Sequence, residues 1–259
     1  MKYYVVDAFT TTLFSGNPAG VCVMDEWLPY ETHKRIAAEN NLSETAFVID
    51  RGDFFDIRWF TPDDEFDLCG HATLASAFII MTELHPELTE VRFSSMSGEL
   101  FVRRAGERFE LDFPARPPHE IKQHEAIEKA FGVKPLGVFL ARDHVALLPD
   151  EAAVRDLKPD FEAMRGLTGC IGLIATAKGD EVDFVSRYFS PFETILEDPV
   201  TGSAHCTLIP FWAERLGKQD MVARQLSKRG GTLYCRLEGD RVRIAGHAVL
   251  YSVGEIKLP

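Results

Sequence analysis

Residues 72–81 read Ala-Thr-Leu-Ala-Ser-Ala-Phe-Ile-Ile-Met, a run with no charged residue and no polar stripe at helical spacing. A helix of that kind has no face to offer water, so in a folded protein it must be covered on every side. It is too short to cross a bilayer, which takes about 20 apolar residues. The rest of the chain must therefore supply the cover. Strand-like segments are plentiful: 3–8, 19–24, 45–50, 54–60, 91–104, 108–113, 136–148, 171–176, 181–189 and 232–252. A sheet curved around a buried helix is the architecture this pattern predicts.

The pattern occurs twice. In the first half, a strand at Phe54–Phe60 ends in Thr61-Pro62, an acidic loop follows, and Cys69-Gly70-His71-Ala72 opens the apolar helix through Leu84. In the second half, a strand at Val182–Phe189 ends in Ser190-Pro191, another acidic loop follows, and Thr201-Gly202-Ser203-Ala204 opens a helix to about Leu216, with Pro210 inside it. Such recurrence is the mark of a divergent duplication. The best break between the halves is Pro114-Ala115-Arg116-Pro117-Pro118, since prolines cannot continue a strand ladder. The expected organisation is residues 1–115, joined by a tail at 249–259, and residues 116–248. The fold class expected is α+β: two pseudo-twofold-related halves, each a barrel-like sheet around a central apolar helix.

Composition narrows the function. Hydrophobic residues make up 46% of the 259 and charged residues 26%, the balance of a soluble globular protein. The formal net charge of −12 disfavours nucleic acid and anionic membranes as partners, because both would repel it. Five scattered cysteines without a Cys-x-x-Cys pair fit a reduced compartment, and the N-terminus reads as a strand instead of a signal peptide, so a cytoplasmic location is expected. There is no Gly-x-Gly-x-x-Gly, no phosphate-binding loop, no Gly-x-Ser-x-Gly and no metal-ligand spacing; His124-Glu125 lacks a second histidine, and Arg229-Gly230-Gly231 reads as a hairpin turn. Neither a cofactor nor a metal is expected.

The polar candidates gather at the starts of the two helices. There the first backbone N–H groups lack intrahelical partners and the macrodipole adds positive potential, which suits a carboxylate. Gly70 and Gly202 allow close approach, and His71 and Ser203 are the first side chains beyond them. Each pair taken alone could be an ordinary helix start; the repetition favours a binding role. Glu44 heads an apolar strand, Asp198 stands just before the second helix where a turn or cap carboxylate is the plainer reading, and Asn17 lies in the turn Ser15–Gly20.

These stretches carry a resemblance. Asp7-Ala8-Phe9, Ser15-Gly16-Asn17-Pro18-Ala19-Gly20, Ser43-Glu44-Thr45, Cys69–Ala75, Glu197–His205, Gly239–Val242 and Gly246–Val249 resemble, over nearly the whole chain, the phenazine-biosynthesis PhzF-type isomerases, which share the diaminopimelate epimerase fold. The resemblance implies a usually dimeric protein, here a homodimer, with its site between the halves. It also implies Glu44 as catalytic acid/base, supported by His71 and Asp198, with Gly70, Gly202 and Ser203 holding a small anionic substrate and no cofactor. The epimerase relatives place a cysteine at the start of each helix. Here those places hold Cys69 and Thr201, and a threonine hydroxyl is too weak an acid to replace a thiol, so two-cysteine racemisation is not expected. Burial and a neighbouring Asp198 would raise the Glu44 pKa, and a protonated His71 would lower it.

The expected function is an isomerase or tautomerase that moves a proton on a carboxylate-bearing metabolite. Two alternatives are an amino-acid epimerase using Glu44 with Cys69, and a non-catalytic small-molecule or partner-binding protein on the same fold.

Overall fold

In a computed structural model, which describes residues 1–167 and 169–258, the chain divides into two units. One comprises Met1–Phe113 and the C-terminal stretch from Ile244; the other is Pro114–Arg243.

The first unit contains β1 (Lys2–Ala8), β2 (Asn17–Met24), α1 (Tyr30–Asn40), β3 (Glu44–Asp50), β4 (Phe55–Phe60), β5 (Glu65–Phe66), α2 (Gly70–Ile79), β6 (Glu90–Ser95), β7 (Gly98–Ala105) and β8 (Arg108–Pro114). The second contains β9 (His119–Glu120), α3 (His124–Phe131), β10 (Gly137–Leu140), β11 (His144–Leu147), α4 (Glu151–Arg155), α5 (Phe161–Arg165), β12 (Leu173–Lys178), β13 (Phe184–Phe189), β14 (Glu197–Asp198), α6 (Gly202–Leu216), β15 (Asp220–Gln225) and β16 (Gly231–Glu238). β17 (Arg241–Gly246) carries the chain back to the first unit, where β18 (Ala248–Glu255) lies antiparallel to β1.

Pairing follows one plan in both units. β1 is antiparallel to β2, β2 parallel to β3, β3 antiparallel to β4, and β4 parallel to β6, which leads into the antiparallel pairs β6–β7 and β7–β8. In the second unit β10 is antiparallel to β11, β11 parallel to β12, β12 antiparallel to β13, β13 parallel to β15, and β15 antiparallel to β16. Three expected single strands are broken by turns: 91–104 is a hairpin turning before Gly98 (φ 92°), 136–148 is the antiparallel pair β10 and β11, and 232–252 is three strands, the first turn using Gly239 (φ 62°). Positive φ strains a residue with a Cβ, so glycine is suited to both places.

α2 is buried along its length, with Ala72, Leu74, Ala75, Ala77 and Ile79 at 0% exposure, and it packs on β1, β2, β3, β7 and β18. Its few polar side chains turn back on the helix, Ser76 donating to the Ala72 carbonyl (2.7 Å) and Thr73 to that of Cys69. Beyond Ile79 the helix loosens into a π turn, Ile80–Leu84. α6 tolerates Pro210 and anchors Trp212, which stacks on Phe184 and donates Nε1–H to Thr176 Oγ1 (2.9 Å). The short amphipathic helices escape the apolar-run pattern. α1 packs Ile36 and Ala37 against Phe47 and Phe60, while α3, α4 and α5 place Ile127, Phe131, Val154 and Met164 in a cluster with Val138, Ala146 and Leu173.

The same clamp fastens the loop before each long helix. Arg58 forms a bidentate pair with Glu65 (2.6 and 2.7 Å), and Arg187 one with Glu197 (2.7 and 2.9 Å). These pairs fix β5 and β14, the short strands from which α2 and α6 start.

Leu74 sits at the centre of this packing. Leu74→Ala is expected to cost about 3–5 kcal/mol, through lost burial and a cavity the helix cannot close. Leu136→Ala, at a side chain 65% exposed, should change stability by less than about 0.5 kcal/mol. Urea midpoints of the two variants check both expectations; equal midpoints would remove α2 from the core.

Candidate active site

Three chain segments meet at the start of α2. Asn17 begins β2, Glu44 begins β3 and registers with Ala19 of β2, and Cys69 precedes the helix in an extended conformation without capping it through its side chain. The His71 side chain, 3% exposed, lies among them. Its Nδ1 is 3.0 Å from Asn17 Nδ2 and 3.5 Å from Cys69 Sγ, and its Nε2 is 3.3 Å from Glu44 Oε2. The amide N–H and the thiol both donate toward Nδ1, so the ring proton belongs on Nε2, pointing at the glutamate. Burial lowers the His71 pKa to about 3, so the ring is neutral at physiological pH. A neutral His71 does not exert the lowering effect on Glu44 that a protonated one would have. The Nε2–Oε2 contact, at 3.3 Å, lies outside hydrogen-bond geometry.

Glu44, Cys69 and His71 each place a possible ligand atom within 4.8 Å of the others, a cluster their sequence spacing does not announce. The histidine divides it. Its Nδ1 meets Cys69 and Asn17, and its Nε2 faces Glu44. Asn17 bonds the ring at Nδ1, and the Glu44 carboxylate faces it at Nε2.

The second unit has its own constellation at the start of α6. Asp198 accepts a hydrogen bond from the Thr201 hydroxyl (2.5 Å). The Gln225 amide accepts from the Thr201 backbone N–H (2.8 Å) and donates to the Asp198 carbonyl (2.7 Å). Ser203 Oγ accepts from Arg142 Nη2 (2.8 Å); Arg142 Nε lies 3.2 Å from Asp143 Oδ2, and Asp143 Oδ1 accepts from the Tyr188 hydroxyl (3.0 Å). Burial is the largest single influence on Arg142 and works against the cation, but Asp143, Tyr188 and Cys206 together outweigh it and its pKa is raised. Burial holds the Tyr188 phenol well above its ordinary value, and lowers His205, which bonds the Thr201 carbonyl through Nδ1 (2.8 Å), to about 4.

Of the residues singled out in the sequence, Asn17, Glu44, Cys69, Gly70 and His71 come together in the first unit, and Asp198, Thr201, Gly202 and Ser203 in the second. Sequence reading missed Arg142, Asp143, Tyr188 and Gln225. The available signal was a charged Arg142-Asp143 pair set between two apolar strands.

Two units of one strand–helix plan, each opening a buried helix beside a polar cluster, define a protein of the epimerase-like fold. The PhzC-PhzF family model, described as phenazine biosynthesis-like protein, matches residues 6–254, and the chain belongs to that family. An uncharacterized isomerase of Pseudomonas aeruginosa is 51% identical over 100% of this chain and 99% of its own length. The crystal structure of a PhzF-family phenazine biosynthesis protein from Enterococcus faecalis superposes with a TM-score of 0.96 at 47% identity, covering 99% of both chains. A predicted epimerase from Pseudomonas aeruginosa, at a TM-score of 0.80 and 19% identity over 100% of this chain and 99% of that one, shares the fold. Among the described residues no helix is long and apolar enough to cross a membrane.

The buried histidines make a pH prediction. Below about 6.5 the unfolded His71 and His205 take up protons that the folded ones refuse, so stability should fall as pH drops from 6.5 toward about 3–4; above 6.5 these groups add no pH dependence. Nitrogen-15 spectra of the ring should show His71 neutral and protonated on Nε2 from pH 8 to pH 5. Titration of His71 near 6.5 would contradict the assignment.

Proposed function

We propose that the protein is an isomerase that moves a proton along one face of a small carboxylate-bearing metabolite, with Glu44 as the acid/base. The observation that carries this is the chain from Asn17 through a neutral His71 to a Glu44 carboxylate that remains 16% exposed. A relative at 51% identity named as an isomerase supports the same class. In this reading each sheet is wound around its own helix, and the starts of α2 and α6 supply the N–H groups that favour an anion.

Glu44 takes the proton from a substrate carbon and returns it to another. His71 is a positioning residue: its Nε2–H steadies Oε2, and Asn17 holds the ring in the tautomer that can do so. A neutral imidazole orients the carboxylate without the full stabilisation a cation would give, which leaves Glu44 basic enough to work. Asp198 is proposed to act in the second unit by holding Thr201 at the head of α6. No step needs a cofactor or metal.

Cys69 argues against epimerisation by its position. Acid and base on opposite faces of a planar carbon, each about 3–3.5 Å from it, stand roughly 6–7 Å apart. Cys69 and Glu44 present their reactive atoms within 4.8 Å of one another, which suits action on one face.

A panel of unsaturated and amino carboxylates incubated with the protein in deuterium oxide, followed by proton NMR, should reveal a substrate that exchanges a C–H. On that substrate Glu44→Gln should lose on the order of 10²–10⁴ in kcat, and Cys69→Ser should stay within a few-fold of the parent. Turnover by Glu44→Gln near the parent rate would overturn the proposal; loss of turnover in Cys69→Ser would restore the epimerase reading.

A further inference from the structure

Among the described residues, one group of side chains has the donor types and the spacing of a metal site, and it stands at the start of α2. Glu44, Cys69 and His71 each offer one ligand atom within 4.8 Å of the other two. A carboxylate, a thiol and an imidazole suit zinc, and three protein ligands leave a fourth tetrahedral position open. Around a zinc ion about 2.0–2.3 Å from its ligands, neighbouring ligand atoms stand roughly 3.3–3.7 Å apart. The His71 Nε2–Glu44 Oε2 separation, 3.3 Å, already has that value. Cys69 Sγ has at most about 1 Å to close, which a small rotation of its side chain covers.

Proximity alone carries little, and the state of His71 is the second observation. Its side chain is 3% exposed, and Nε2 has no hydrogen-bond partner. A buried polar atom in that condition is destabilising, and a bond to an ion removes the penalty. The proton assigned to Nε2 also has a place to go. The Asn17 amide, turned end for end, presents Oδ1 where Nδ2 now stands, so Nδ1 can carry the proton and donate it there. A carbonyl oxygen behind the second ring nitrogen is what orients a metal-bound histidine. The Glu44 side chain, 16% exposed, is the open side of the cluster and the way in for an ion.

We infer that Glu44, Cys69 and His71 form an inhibitory zinc-binding site. The ion bonds the Cys69 thiolate, His71 Nε2 and a Glu44 oxygen, with water in the fourth position. The thiol proton goes to solvent and the ring proton passes from Nε2 to Nδ1, so one proton is released for each ion bound. Zinc inhibits because its bond to Glu44 uses the electron pair with which the carboxylate takes a proton. The inhibition rests on the proposed role of Glu44; the binding of the ion does not.

Cobalt(II) probes the site without turnover. Titrated into the full-length protein under a phosphine reductant, it should give a saturable thiolate-to-cobalt charge-transfer band, and added zinc should abolish it. Cys69→Ser should lose the band, and Glu44→Gln should weaken the ion at least tenfold. Cys170→Ser, which removes a half-buried thiol of the second unit, should leave the spectrum unchanged. In nitrogen-15 spectra zinc should move the His71 ring proton from Nε2 to Nδ1, which decides the matter if Cys69→Ser fails to fold. No saturable band in the parent protein, a band that persists in Cys69→Ser, or an unchanged ring tautomer at saturating zinc would overturn the site. With a turnover substrate, zinc should inhibit over the concentration range in which it displaces cobalt, and a chelator should restore the rate; full turnover with zinc bound would overturn the inhibition. The cobalt titration needs no turnover, so its failure counts against the metal site alone, and undiminished turnover in metal-free Glu44→Gln counts against the proton-transfer proposal.

Discussion

A helix with no polar side must be enclosed, and enclosing α2 and α6 is the constraint on which the rest of this protein depends. Burying Ala72, Leu74, Ala75, Ala77 and Ile79 removes enough apolar surface to hold a strand layer around the helix, at about 25 cal/mol for each Å² covered. It also fixes where the helix begins. The first turn emerges beside the ends of neighbouring strands, and neither Cys69 nor Thr201 uses its side chain to cap it. The amides of that turn, the half-charge they carry and the strand-end side chains therefore gather in one place in each unit. The paired clamps Arg58–Glu65 and Arg187–Glu197 hold the approach to it.

What differs between the units is the chemistry set on that common frame. Around α2, desolvation dominates and His71 stays neutral. Around α6, Coulomb attraction outweighs desolvation for Arg142, and the cluster presents a cation.

The sequence made the helices and the strands around them legible because burial on all sides erases the usual polar stripe, and a run such as 72–81 stands out for that reason. The repeat at the head of each helix singled out His71 and Ser203, whereas Glu44 and Asp198, which look like an exposed acid and a turn carboxylate when read alone, were singled out through the family resemblance. The amphipathic helices α1 and α3–α5 were missed, since short helices with mixed faces resemble loops when only apolar runs are followed. Arg142 was missed for a different reason: the fold brings it to Ser203 from far along the chain, and the neighbouring Asp143 makes the pair look like solvated charge. The neutral state of His71 could not be read at all, because it depends on burial and on which nitrogen meets Asn17.

The central claim is that one carboxylate, Glu44, works on one face of the substrate. It is tested most directly by turning over a substrate deuterated at the reacting carbon, in ordinary water, and locating the label in the product. The account predicts that hydrogen is delivered to the face it left, with part of the original deuterium carried across by Glu44. Delivery to the opposite face with complete replacement by solvent hydrogen would mean two residues acting across the substrate, and would contradict it.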